Sequence, residues 1–250
     1  MTVETILTPA ELPALARRDL RDAVCVVFDI LRATSALVTA LQNGARAVVP
    51  VSEIAEAVEF KRNVQDALLA GERHGLKIRA AESGGVDFDF GNSPREFRPE
   101  KIRGKTIVTT TTNGTRALRA CAGAKMVLAS SFLNLAATAK FVNELSPQPA
   151  EMLLICAGTG EGVALEDVLA AGALAGLISG EYSDATEIAS RTFLSAKTDL
   201  PAAIAGSQNA RRLQAIPELR ADVGFCCQRD IFKIVAAMDA DGAIRLRKKY

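Results

Sequence analysis

Apolar and polar positions along the chain follow two alternating rhythms, one of strands and one of helices. Residues 23–29 (Ala-Val-Cys-Val-Val-Phe-Asp) form a near-continuous apolar run ending in a carboxylate, the pattern of a strand buried on both faces. Ile-Leu-Arg-Ala-Thr-Ser then opens a helical stretch that runs to Asn43-Gly44, a C-terminal stop. Residues 47–51 predict a second strand, and Ser52 is expected to cap a helix beginning Glu53-Ile54-Ala55. Periodicity is lost from 71 to 99, where Gly84, Gly85, Gly91, Pro94 and Pro99 interrupt it, so a long functional loop is expected.

Order resumes at residues 105–116, Lys-Thr-Ile-Val-Thr-Thr-Thr-Thr-Asn-Gly-Thr-Arg. The β-branched run predicts a strand, Asn113-Gly114 a turn, and the residues after it a helix. A strand follows at 126–129, and Leu133, Ala137, Phe141 and Leu145 mark one face of a helix. Ser146-Pro147-Gln148-Pro149 breaks the chain. Residues 151–157 predict another buried strand, turning at Gly-Thr-Gly-Glu-Gly into a small-residue helix over 164–178. Helices are expected over 184–196 and 201–213, and terminal strands over 225–228 and 231–236, with 239–242 turning into 243–246. Strands alternating with helices predict an α/β fold, a three-layer α/β/α arrangement around a largely parallel sheet, with functional loops at the strand C-terminal ends. The whole chain, 1–250, reads as one domain, with 146–150 as the candidate boundary between two lobes.

Composition narrows the function classes. At 250 residues, 49% hydrophobic but 5% aromatic and without Trp, the core is aliphatic. Thirty basic against 29 acidic residues leave a net charge of +1, which gives no electrostatic reason to expect nucleic acid or a membrane surface as partner. Five cysteines (Cys25, Cys121, Cys156, Cys226, Cys227), no C-x-x-C pair and a single His argue against a zinc site and for buried reduced thiols in a cytoplasmic protein. Met1-Thr2-Val3-Glu4-Thr5 has no basic segment leading into an apolar one, so no signal peptide is expected, and no apolar run is long enough to span a bilayer. The small-residue helices suit a homodimer.

Candidate chemistry clusters at the turns. Asp29, at the end of a buried strand, suits Mg²⁺ ligation or acid–base work, against the simpler role of capping the next helix; Arg32, Thr34 and Ser35 add anion-binding groups. A dehalogenase-type aspartyl nucleophile would want a second Asp where Leu31 stands. Ser93 and Glu96 read as a capping box with Pro94 at the first helical position, compatible with an anion site on the same exposed amides. The threonine loop, Thr110, Thr111, Thr112, Asn113, Gly114, Thr115 and Arg116, offers hydroxyls and amides for phosphate or sulfonate oxygens, yet lacks the Gly-Lys-Ser/Thr ending of a P-loop. Glu166 and Asp167 open a helix, where they either complement its dipole or bind metal. His74 is expected at the surface, so a Ser-His-Asp mechanism has little support. Phosphate chemistry here would therefore use a metal and carboxylates.

Taken together, Phe-Asp-Ile-Leu-Arg-Ala-Thr-Ser, Gly-Glu-Arg, Gly-Asn-Ser-Pro-Arg-Glu, the threonine loop, Ser-Ser-Phe-Leu-Asn, Leu-Glu-Asp-Val-Leu-Ala-Ala-Gly, Ser-Gln-Asn-Ala-Arg-Arg-Leu and Asp-Val-Gly-Phe-Cys-Cys-Gln-Arg-Asp resemble the 2-phosphosulfolactate phosphatase (ComB) family over about residues 24–235. The resemblance implies an α/β, Mg²⁺-dependent phosphatase converting 2-phospho-3-sulfolactate to 3-sulfolactate and phosphate, as in coenzyme M biosynthesis, or acting on a related phosphorylated hydroxy acid. It implies Asp29, Arg32, Ser93 and Thr112 as catalytic groups. Substrate would be held by Thr34, Ser35, Asn92, Thr110, Thr111, Asn113, Gly114, Thr115, Arg116, Ser131 and Asn134. Metal would be held by Asp29, Glu72, Glu166 and Asp167. Residues 80–86 look like an insertion relative to the family, and Ala236 stands where proline is common. Rival readings are a non-catalytic binding protein for small anionic metabolites and a transferase using an acceptor other than water.

Overall fold

A computed structural model describes residues 1–247 of the protein. Eleven strands form one sheet: β1 (Thr2–Ile6), β2 (Ala23–Phe28), β3 (Ala47–Pro50), β4 (Leu68–Arg73), β5 (Leu76–Lys77), β6 (Thr106–Thr110), β7 (Met126–Ser130), β8 (Glu151–Cys156), β9 (Glu181–Tyr182), β10 (Ala236–Met238) and β11 (Ile244–Leu246). Their spatial order is β5-β4-β6-β3-β11-β10-β7-β2-β8-β1-β9. The fold is α/β with a mostly parallel sheet flanked by helices, as the alternation of periods predicts.

Strand β2 is central and buried along its whole length. Its side chains alternate between the two faces. Val24, Val26 and Phe28 pack with Leu135, Val142, Leu169 and Leu174 on one side, while Cys25 and Val27 pack with Val38, Leu41, Ala117 and Leu118 on the other. Each such side chain contributes about 1.5–3 kcal/mol through burial, which is why the run carries no polar residue until Asp29. All five cysteines are buried and free.

Strands β7, β2, β8, β1 and β9 are mutually parallel, as are β4, β6 and β3. Between these groups lies the β10–β11 hairpin, antiparallel within itself and to both neighbours, β7 and β3. The two parallel groups therefore run in opposite senses. In a flat sheet their C-terminal ends would lie on opposite edges, yet residues following β2, β6 and β8 line one cavity with residues of β4. The two groups nonetheless meet at this cavity, and the twist that strand chirality gives to sheets helps to bring such ends together. One apolar cluster joins Val27 and Ile155 of one group to Val48 and Ile107 of the other, through the Ala33–Gln42 helix. Residues 146–150 connect the Leu135–Asn143 helix to β8, which inserts between β2 and β1.

Four expectations are corrected. Residues 71–99 are not one long loop: they hold the end of β4, all of β5, a one-turn helix Ala80–Ser83 and a 3-10 turn Pro94–Glu96. Each piece is too short, and β4 ends too polar at Glu72-Arg73, to leave a periodic signal. Residues 225–228 are not a strand: Phe225 and Cys226 end the Arg220–Cys226 helix, and an apolar run of that length fits either element. The last strands begin at Ala236 rather than at 231. The 201–213 stretch is interrupted at Gly206, and Ser207 caps a new helix, Gln208–Gln214, through its bond from the Ala210 amide. Among the described residues, no helix is long and apolar enough to cross a membrane.

The Leu165–Ala175 and Asp184–Ala196 helices approach so closely at Gly172 that an added Cβ would lie 2.0 Å from the Ala189 carbonyl oxygen. Gly172→Ala is expected to destabilise the fold by about 1–3 kcal/mol through overpacking. A lowered urea midpoint at unchanged slope is the check; an unaltered midpoint contradicts the close contact.

Candidate active site

Asp29 leaves β2 at the point where the Ala33–Gln42 helix begins. One carboxylate oxygen, Oδ1, accepts the Ala33 amide at 2.9 Å, and the Asp29 carbonyl accepts the Thr34 amide at 2.9 Å. The Thr34 hydroxyl closes the same turn, 3.0 Å from both the amide and the carbonyl of Asp29, and the Ser35 hydroxyl bonds the Ile30 carbonyl. The other oxygen, Oδ2, has no hydrogen-bond partner among the described residues. It faces Gly114, where a Cβ would lie 2.6 Å away and would also strike Ala33. Gly114 is thus demanded by the approach of the threonine loop to Asp29.

That loop holds itself together with its own hydroxyls. Thr111 and Thr115 exchange amide-to-hydroxyl bonds, and the Thr115 hydroxyl also bonds the Thr111 carbonyl. Thr110 bonds the Ser52 carbonyl and accepts from Arg73. Thr112 donates both its amide and its hydroxyl to Glu72 Oε1, at 2.8 and 2.9 Å, and Glu72 Oε2 accepts the Gly75 amide at 2.7 Å. Asn113 ties the loop to the turn after β8 through the carbonyls of Ala157 and Gly160.

On the far side, Asp167 accepts the Ile30 amide at 2.8 Å and the Gly158 amide at 3.0 Å, lacing the ends of β2 and β8 to the Leu165–Ala175 helix. Its neighbour Glu166 accepts Asn209 Nδ2 at 2.7 Å on Oε1, and its Oε2 is buried with no partner among the described residues. Asn209 also bonds the Thr159 hydroxyl.

Arg32 follows a cis Leu31–Arg32 peptide and is buried. Its guanidinium donates to Asp222 Oδ2 at 2.9 Å and to the Gly75 carbonyl at 2.6 Å. Asp222 is fully buried, and its second oxygen takes the Ser93 hydroxyl at 2.7 Å, with Arg95 at 3.4 Å. The capping box expected at Ser93 and Glu96 therefore does not form: Ser93 turns to Asp222, and Glu96 accepts the Gly91 amide.

These groups surround a cavity of about 460 Å³, lined among others by Asp29, Arg32, Glu72, Asn92, Thr112 and Asn113. Gly114 abuts Asp29 behind it. Thr34, Ser35, Ser93, Thr110, Thr111, Thr115 and Asp167 are buried and brace these residues without lining the cavity. Glu166 lines a neighbouring cavity, and Asn209 lines both. Two predictions lie elsewhere. Ser131 and Asn134 are fully buried in the cap of a 3-10 turn after β7, where Asn134 also bonds the Ile234 carbonyl. Arg116 points outward to Glu161 at 2.6 Å, in an exposed ion pair. Their polar groups resemble anion donors in sequence but are consumed by local structure.

Sequence reasoning expected helix over 201–213 and matched both segments to the family, but gave no site role to Asp222 or to the Gln208–Gln214 helix. Asp222 had a signal: one acid beside the buried Val223 and Cys226 of its helix. On the other helix Gln208 and Arg212 stand four apart, as do Asn209 and Leu213, so all four fall on one face, and all four line the cavity. His74 is exposed, as expected, and stands at the cavity mouth.

The charges are poorly balanced. Burial, with the negative charges of Glu72 and Glu166, pushes the Asp29 carboxyl up to about 7 against the opposing pull of the Ala33 amide and Arg32. Burial, with Asp29 and Glu166, pushes Asp167 well above the usual carboxylate range, against the Ile30 and Gly158 amides. Among the described residues, no group of three or more His, Cys, Asp or Glu is arranged to hold a metal ion. The four predicted ligands thus form no closed cage, because Glu72 and Asp167 give both oxygens to hydrogen bonds. Asp29 Oδ2 and Glu166 Oε2 are the carboxylate oxygens left over. That suits a hard divalent cation bound through one or two carboxylates and completed by phosphate and water.

The sequence profile described as 2-phosphosulpholactate phosphatase matches residues 7–241. A probable 2-phosphosulfolactate phosphatase of Caldanaerobacter subterraneus subsp. tengcongensis is 37% identical over 239 residues, covering 93% of this chain and 94% of the relative. One from Thermotoga maritima is 40% identical over 214 residues, 85% of this chain and 88% of the relative. One from Clostridium acetobutylicum is 34% identical over 221 residues, 86% and 89% of the two chains.

Two outcomes follow from the charge balance. An acid whose folded pKa is raised keeps its full stability contribution below the unfolded value, 3.8 here, and loses it as pH rises through about 7. Without divalent cations, the unfolding free energy of Asp29→Asn relative to wild type should therefore climb between pH 5 and pH 8, by an amount on the order of 2–4 kcal/mol; a constant difference contradicts the shift. Asp222→Ala strands the buried Arg32 charge and should cost about 3–5 kcal/mol in urea unfolding; a loss under 1 kcal/mol, read as roughly the value of a surface pair, contradicts the buried anchor.

Proposed function

Because the chain belongs to the 2-phosphosulfolactate phosphatase family, whose members are phosphoric monoester hydrolases, we propose that it hydrolyses 2-phospho-3-sulfolactate to 3-sulfolactate and phosphate with the help of Mg²⁺. The reaction is of the coenzyme M biosynthesis type, carried out in the cytoplasm on a small anionic substrate. The observation that carries the reading is one cavity in which an overcharged carboxylate group meets a buried, anchored guanidinium.

Asp29 and Glu166 would hold the ion through their free oxygens. When bound, Mg²⁺ supplies charge neutralisation and Lewis-acid polarisation of the phosphoryl oxygens. The remaining work belongs to the chain. Asp222 and the Gly75 carbonyl fix Arg32, so its guanidinium faces the phosphoryl group without reorganising, which is the condition for strong transition-state stabilisation. Thr112 and the Gly75 amide hold the Glu72 carboxylate oxygens against the cavity wall. Asp167 and Asn113 lock the turns after β2, β6 and β8 to one another, so the reacting groups keep their spacing. Water attacks phosphorus in line as the phosphorus–oxygen bond to sulfolactate breaks, and the proton given up by the water is balanced by one taken up on the departing oxygen.

Phosphate release from 2-phospho-3-sulfolactate, followed with Mg²⁺ and with excess chelator, tests the reading. Release should require the metal; Asp29→Asn should lower kcat by about 100-fold or more, and Glu166→Gln should raise the Mg²⁺ concentration needed. Full turnover in chelator, or full activity of Asp29→Asn, overturns the proposed chemistry. Binding of the substrate without any release identifies a binding protein instead.

A further inference from the structure

The cavity has a second cationic wall that phosphoryl transfer does not employ. The Gln208–Gln214 helix is fixed over it by Asn209, whose side-chain amide bonds both Thr159 and Glu166. Leu213 of the same helix is buried against the cavity. One turn along from Gln208, Arg212 reaches the cavity with an exposed guanidinium and no partner among the described residues. Its neighbour Arg211 is spent differently, donating to the Gly206 carbonyl. Across the same space lies Asn92, only 7% exposed, whose side-chain amide also has no partner among the described residues. That amide opens on the cavity rather than being sealed in the core, so it is available to bond a group placed there.

Arg32 cannot serve every acidic group of such a substrate, since its fork is already committed at the buried end to Asp222 and Gly75. A phosphorylated sulfolactate carries two further acids besides the ester that is cleaved. We propose that Arg212, assisted by Asn92, binds the sulfonate of the substrate and sets the preference for sulfonated over non-sulfonated phosphate esters, an assignment that rests on the phosphatase reading above. A sulfonate accepts hydrogen bonds through three oxygens and is weakly hydrated. It therefore suits the weakly hydrated guanidinium at the open side of the cavity. The pairing is made outside the reacting centre, so its binding energy sets which ester is positioned.

The test compares kcat/KM for 2-phospho-3-sulfolactate, for 2-phospholactate, which lacks the sulfonate, and for the phosphate ester of 2-hydroxyethanesulfonate, which lacks the carboxylate. Wild type should prefer both sulfonated esters to 2-phospholactate. Arg212→Gln should reduce the preference for 2-phospho-3-sulfolactate over 2-phospholactate at least tenfold, mainly through KM, with Arg212→Lys recovering part of it. The effect should persist with the ester that lacks a carboxylate. Equal losses on all three esters, or an effect that follows the carboxylate, overturn the proposal. Wild-type turnover of all three without preference overturns it while leaving the phosphatase reading intact. Failure of the wild type to release phosphate from any of them, with Mg²⁺ present, overturns both.

Discussion

Crowding of negative charge at the strand ends is the constraint on which the rest of the structure depends. Asp29, Glu72, Glu166 and Asp167 are drawn close enough to raise the affinity of Asp29 and Asp167 for protons, and burial strengthens the effect. Backbone amides answer part of it. Ala33, Gly75, Thr112, Ile30 and Gly158 each donate to one of these carboxylates. Such bonds place the charges without cancelling them.

The curl of the sheet makes the crowding possible. Two parallel strand groups running in opposite senses would separate Asp29 from Glu72, were they not joined by the C-terminal hairpin and wrapped on the Ala33–Gln42 helix. The last strands of the chain therefore bear on a site whose Asp29, Glu72 and threonine loop come from its first half. The helices after residue 200 close the remaining side: Asp222 from one anchors Arg32, and Asn209 from another reaches Glu166. A cavity assembled from such distant segments couples the site to the stability of the whole domain.

Much of this was legible in the sequence. The apolar run ending at Asp29, the β-branched run ending in the threonine loop and the small-residue helix after Gly162 each state their element, although the helix expected to reach 178 ends at Ala175. Asp29, Arg32, Thr112 and Asn113 stand in turns that follow buried strands, Asn92 in a segment that resembles the family, and all five line the cavity. The convergence of oppositely directed strand groups was not legible, since twist and pairing order are tertiary properties. Nor could the sequence separate hydroxyls that face the cavity from those that brace the loops: Thr111, Thr115 and Ser131 have the right chemistry but spend it locally. Asp222 and Arg212 lie on short helices far along the chain, and their importance appears only when the helices are docked.

Calorimetric titration of Mg²⁺ into the cation-free protein near pH 6.5, in two buffers of different ionisation enthalpy, tests the central claim most directly. If the crowded carboxylates hold a proton that the ion displaces, binding will be accompanied by release of about one proton. Binding with no proton release, or no binding in the presence of a phosphate-bearing ligand, would contradict the account.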